Sequence, residues 1–210
     1  MIDIKVFVEG PVDANNYLVT DIESKEAVLI DCSDSNSEFI DAVKQSGVKL
    51  KYILLTHGHF DHILGVEKFQ SSFNVDTYMA KEDEEQVEAA PKMIQYFTGV
   101  KPPEFAKITH FVKDGDEFFI GRTKIKAIST PGHTQGGMCY LVGDKDLFSG
   151  DTLFFRSVGR TDFPGGSFET IKKSVKDVLF NLSGDVVVHP GHGPKSSIGY
   201  EKKFNEIINI

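Results

Sequence analysis

Apolar residues recur along the chain in short runs bounded by Gly, Pro, Asn or Asp. Such runs predict strands at Ile4–Val8, Asn16–Thr20, Ala27–Asp31, Tyr52–Leu55, Phe118–Ile120, Lys124–Ile128, Met138–Val142 and Val186–His189. Helical spacing interleaves with them. Phe168, Ile171, Val175, Val178, Leu179 and Leu182 share one face of a helix predicted over Phe168–Leu182, with Ser167 placed to cap it. A shorter helix follows Asp61 on Ile63, Val66 and Phe69. Lys81–Ala90 is acidic and helix-prone up to an interruption at Pro91, and an amphipathic segment runs from Tyr200 to Ile208. No solenoid-period repeat, low-complexity tract or Ser/Pro-rich linker divides the chain, so the pattern predicts one α+β domain over residues 1–210.

Four of the apolar runs lead directly into potential metal ligands: YILL into THGHFDH, IKAIS into TPGH, LFS into GD, and VVV into HPGH. Strand ends converge on one rim of a sheet, where side chains remote in sequence can meet. The i, i+2 spacing of His57 and His59 puts two imidazoles on the same side of an extended segment, within reach of one ion, and Gly58 keeps the approach open. Asp61 and His62 follow as the chain turns into a helix and so point elsewhere, towards a second ion. Taken singly, Asp61 reads equally as a helix cap, His62 as a first-turn histidine, and His57 or His59 as surface residues. Together with His133 and His192, each in a Pro-Gly-His context, and with Asp151 after Gly150, they read as metal ligands. His110 reads as structural or exposed. His189 reads as a residue beside the ligands and not among them. Asp31, at the end of the AVLID strand, is either a turn carboxylate or the partner that holds a ligating histidine in its tautomer.

Composition narrows the chemistry. A chain of 210 residues, 40% hydrophobic and 26% charged, can bury a substantial core. A net charge of −8 argues against a surface that neutralises many phosphates, so no nucleic-acid partner is expected. Cys32 and Cys139 form no CxxC pair and read as free thiols. The first residues lack a signal pattern and no run is long enough to span a bilayer, so the expectation is a cytoplasmic protein with no membrane partner.

In their order along the chain, THGHFDH, PGH, GD and PGHG resemble the metal motifs of the metallo-β-lactamase superfamily. The segments GDTLF, GRTDF and PGHGPKSS are similar to those of its single-domain, glyoxalase II-like hydrolases. The resemblance spans nearly the whole chain. It implies a four-layer αββα sandwich with two divalent ions, zinc foremost and iron or manganese as alternatives, at the edge between its two sheets. By position, His57, His59 and His133 would hold one ion and Asp61, His62 and His192 the other, with Asp151 bridging them. A hydroxide between the ions would be the nucleophile, with Asp61 orienting it. The implied substrate is a small thioester such as S-lactoylglutathione. The C-terminal helical domain of two-domain glyoxalase II enzymes has no counterpart after His192. Arg160 matches a basic glutathione-contacting position, but Asp162 stands where an aromatic contact is expected, so a structural ion pair is the other reading of Arg160. A mononuclear iron persulfide dioxygenase of the same fold, using His57, His133 and Asp151, shares the GRTDF segment and is the alternative function. Its usual Pro-Ala-His-Asp segment is replaced here by PGHG. A non-catalytic metal scaffold is the third reading. Oligomeric state is not legible.

Overall fold

A computed structural model describes residues 1–34, 37–99 and 108–209. They fall into two compact units, Met1–Val112 with Phe119–Thr123, and Lys113–Phe118 with Lys124–Ile210.

The first unit is built on a six-stranded sheet in the order β1 (Ile2–Glu9), β2 (Ala14–Asp21), β3 (Glu26–Ile30), β4 (Lys49–Leu54), β5 (Asp76–Ala80) and β6 (His110–Val112). β1 to β3 run antiparallel, and β3 to β6 pair in parallel. Parallel neighbours need crossovers. These are α1 (Ser37–Gln45), α2 (Phe60–Ile63) with α3 (Val66–Phe73), and α4 (Glu84–Thr98). Phe39, Ile40 and Val43 of α1, Val66 and Phe69 of α3, and Ala90 and Ile94 of α4 share one buried cluster with Leu29, Ile53, Leu55 and Met79. The sequence pattern finds four of these strands but not β5 or β6, whose DTYMA and HFV are short and carry polar residues. It also passes over α1. The predicted break at Pro91 is corrected: α4 continues through Pro91 and ends at Gly99, which adopts the left-handed conformation at φ 69°. Ala90 and Ile94, buried on either side of Pro91, anchor both turns to the core and offset the lost backbone hydrogen bond.

The second sheet has the order β14 (Ser196–Ser197), β13 (Val187–Pro190), β10 (Asp146–Gly150), β9 (Met138–Val142), β8 (Thr123–Ser129) and β7 (Glu117–Ile120). β10 and β13 are parallel, while β8/β9, β9/β10 and β13/β14 are antiparallel. β11 (Leu153–Phe154) and β12 (Ser157–Val158) form a small hairpin. The predicted helix Phe168–Leu182 is helical over most of its length but not uniformly so. α5 (Phe168–Lys173) widens into a π turn at Ser174–Val178 and tightens into a 3-10 turn at Leu179–Asn181. Ser167 caps it, accepting from the Thr170 amide. Ile171, Val175 and Leu179 are buried, whereas Phe168 and Val178, predicted on the same face, are exposed. The wider turn shifts the register of that face at Val178, while Phe168 is the first residue of the helix. The C-terminal segment breaks into α6 (Ile198–Phe204) and α7 (Glu206–Asn209) at Asn205. The Asn205 side-chain amide donates to the Ser157 carbonyl and to Glu201 Oε2. No helix among the described residues is long and apolar enough to cross a membrane.

Candidate metal centre

The HGHFDH segment leaves the end of β4 and enters α2. His57 and His62 are buried, while His59 and Asp61 are partly exposed. The His57 ring lies 4.8 Å from that of His59 and 4.1 Å from that of His62, centroid to centroid. Asp61 Oδ2 is 3.6 Å from His62 Nε2. Position 59, not 61, is the cap of α2, and Asp61 sits in its first turn. Backbone bonds from the Cys32 amide to the His62 carbonyl and from the Gly65 amide to the Cys32 carbonyl, both 2.9 Å, fasten this turn to the end of β3.

Asp31 organises the ring nitrogens. Oδ1 accepts the Thr56 amide at 2.8 Å, while Oδ2 accepts the Thr56 hydroxyl at 2.8 Å and His62 Nδ1–H at 2.8 Å. Having given its proton to Asp31, the Thr56 oxygen can only accept from His57 Nδ1–H, 3.0 Å away. One buried carboxylate therefore sets the tautomer of two imidazoles and leaves Nε2 of each with a lone pair for a ligand. Thr56 was missed in the sequence, because a threonine before HGH carries no signal of its own.

In the second unit three strand ends deliver His133, Asp151 and His192. Gly150 and Pro190 are paired in the parallel β10/β13 register, and the Gly191 amide donates to the Gly150 carbonyl at 2.8 Å. That pairing sets Asp151 beside His192. Asp151 Oδ2 lies 3.6 Å from His133 Nε2 and 3.7 Å from His192 Nε2. These separations exceed the ~2.7–3.2 Å of a hydrogen bond. They are close to the edge of a tetrahedron with metal bonds of ~2.0–2.2 Å, about 3.3–3.6 Å. His133 Nδ1–H donates to the Arg160 carbonyl at 2.7 Å, so its Nε2 also keeps the lone pair.

Two glycines fit this arrangement closely. A Cβ at Gly159 would stand 1.9 Å from the Asp151 carbonyl oxygen and 2.9 Å from His133 Nδ1. A Cβ at Gly132, at φ 136°, would stand 2.3 Å from the Ile171 amide of α5. The GRTDF segment thus supports His133 and Asp151 through its backbone. The donor set is imidazole nitrogens and carboxylates, which suits zinc, iron or manganese, so the residues present fit a divalent metal.

The Arg160 guanidinium, 54% exposed, is bound bidentately to Asp162 with both contacts at 2.7 Å, and it lies 3.8 Å above the Phe163 ring. This pair holds the Asp162 carboxyl down at about 2. His189 Nε2 bonds Asp146 Oδ1 at 2.8 Å and stacks on Phe148. His110 stacks on Tyr78 at an exposed position. Both cysteines are buried free thiols, and burial pushes the Cys139 thiol up to about 12.

The metallo-beta-lactamase superfamily model matches residues 10–192. The chain belongs to the metallo-beta-lactamase superfamily. It is 32% identical to the hydroxyacylglutathione hydrolase GloC of Haemophilus influenzae over 93% of this chain and 92% of that one. The crystal structure of the BLEG-1 B3 metallo-beta-lactamase superposes with a TM-score of 0.91 at 30% identity, covering 100% of both chains. That of TTHA1623 in a di-iron-bound form gives 0.86 at 31% identity, covering 96% of this chain and 98% of that one. The fold is therefore the metallo-β-lactamase fold, mixed α and β with two sheets. At the level these relatives share, the superfamily is one of metal-dependent hydrolases.

Proposed function

We propose that the chain is a thioester hydrolase working with two divalent cations, one held by His57, His59 and His133, the other by Asp61, His62 and His192, with Asp151 shared. The observation that carries this reading is the place of Asp151 Oδ2, 3.6 Å from one imidazole Nε2 and 3.7 Å from another. One carboxylate flanked in this way suits a bridge. The di-iron form of TTHA1623 and the hydrolase assignment of GloC support the same reading.

Two bound cations would lower the pKa of water from ~15.7 towards ~7 and so supply a nucleophile at neutral pH. The chain's own groups do the rest. Asp31, Thr56 and the Arg160 carbonyl keep the imidazoles in the tautomer that presents Nε2. Asp61, in the first turn of α2 with Oδ2 3.6 Å from His62 Nε2, orients the attacking water. A thiolate leaves without a general acid, since its conjugate acid has a pKa of only ~8.5, and this favours thioesters over amides. Arg160 binds a carboxylate of the substrate, for which it exchanges its contact with Asp162.

Elemental analysis of protein from metal-balanced medium, paired with hydrolysis of S-lactoylglutathione, tests the proposal. Close to two metal ions per chain and turnover abolished by chelation are expected. A single fully occupied iron, with rapid oxygen uptake on glutathione persulfide and negligible thioester turnover, would move the chain to the dioxygenases.

A further inference from the structure

We infer that Asp83 is a positioning residue for the His57–Gly58–His59 ligand loop, an inference that rests on the metal-centre reading above. Asp83 lies at the junction of β5 and α4, in the 3-10 turn Lys81–Asp83, and its side chain is completely buried. It occupies the cap position of α4. Aspartate there ordinarily accepts from the helix's own first amides, yet its side chain makes no cap hydrogen bond. Its Oδ2 instead accepts the backbone N–H of Gly58 at 2.9 Å, from a segment 25 residues away.

Two further observations make this contact specific to the loop. A Cβ at Gly58 would stand 2.8 Å from the Asp83 carbonyl oxygen and 3.0 Å from Gln86 Cβ, so the glycine is what lets the two backbones approach. Gly58 is also the single residue between two proposed ligands whose ring nitrogens lie within 4.8 Å of each other. Rotation of the peptide unit at Gly58 would swing both imidazoles at once. A charge-assisted bond to that amide is about twice as strong as a neutral one, and burying a carboxylate is otherwise costly. The physical role of Asp83 is thus to fix the peptide that sets the angle between His57 and His59.

The test is chelator-competition titration of zinc, together with the absorption spectrum of the cobalt-substituted protein, on wild type, Asp83→Ala and Asp83→Asn. Partners that orient ligands typically change metal affinity 10–100-fold. Asp83→Ala, which leaves the Gly58 amide without its acceptor, is expected to weaken the site that His57 and His59 would form by that factor and to change the cobalt spectrum. Asp83→Asn keeps an acceptor oxygen and is expected to stay within tenfold, with the wild-type spectrum. Asp83→Ala with a lowered Tm but unchanged affinity and spectrum would overturn the inference, leaving Asp83 a structural residue only. If Asp83→Ala does not fold, Asp83→Glu, whose longer side chain displaces the acceptor oxygen, takes its place: a weakened site and a changed cobalt spectrum are expected, and wild-type affinity and spectrum overturn the inference. Wild type that binds no stoichiometric metal would remove the metal-centre reading itself, an outcome distinct from both.

Discussion

Asp31 is the residue whose replacement most directly probes how this fold holds its imidazoles. It is 2% exposed and accepts three hydrogen bonds of 2.8 Å, from the Thr56 amide, the Thr56 hydroxyl and His62 Nδ1–H. A buried donor left without its acceptor costs about 1–3 kcal/mol, so three such donors that relax in part cost about 3–5 kcal/mol together. Asp31 also has φ 59°, so Asp31→Ala would add about 1–2 kcal/mol of backbone strain, whereas Asp31→Gly would not. Glycine therefore isolates the hydrogen-bond cost. Asp31→Asn tolerates the backbone and keeps one acceptor oxygen, but its NH2 group must face a donor. His62 can relieve that clash by moving its proton to Nε2, and a protonated Nε2 cannot bind a metal. Urea unfolding of the chelated protein should show Asp31→Gly losing about 3–5 kcal/mol and Asp31→Asn less. Zinc competition on the folded proteins should show Asp31→Asn weakened 10–100-fold, about 1.4–2.7 kcal/mol. The reasoning fails if Asp31→Gly costs under 1 kcal/mol, or if Asp31→Asn keeps wild-type zinc affinity.

Gly159→Ala places a methyl group 1.9 Å from the Asp151 carbonyl oxygen, so it should lower stability by about 1–3 kcal/mol and metal content with it. Unchanged metal content by elemental analysis would contradict that. Arg160→Ala should raise KM for a carboxylate-bearing thioester with kcat little changed, by about 1.5–3 kcal/mol, and Arg160→Lys should recover only part of this. Because the Arg160–Asp162 pair is exposed, Tm should hardly move, and a Tm loss with intact kinetics would assign Arg160 to the ion pair alone. Burial, against the opposing pull of Asp146, holds the His189 pKa below its usual 6.5. The unfolded chain then binds a proton near pH 6.5 that the folded chain takes up only at lower pH, so stability falls as pH drops below about 6.5. In urea melts of chelated protein at pH 7.5 and 5.5, His189→Gln should lose less between the two pH values than wild type, and an equal loss would refute the assignment.

The sequence by itself singled out the candidate metal ligands and most of the elements that carry them. Ligand types crowd at the ends of apolar runs, and a period-two spacing such as His57–Gly58–His59 is a local geometric statement that needs no tertiary contact. The long amphipathic stretch after Ser167 was legible for the same reason, as were most strands of both sheets. Tertiary structure decided what local pattern does not encode. β5 and β6 form because their neighbours in the sheet supply hydrogen bonds that DTYMA and HFV do not advertise, and α4 survives Pro91 because Ala90 and Ile94 are buried beside it. The groups that hold the ligands were the least legible part. Thr56, Asp83, Gly159 and the Arg160 carbonyl act through contacts with segments distant in sequence or through the backbone. A carbonyl or an amide is present at nearly every position along the chain. Only the packing of one segment against another singles out the one that faces an imidazole.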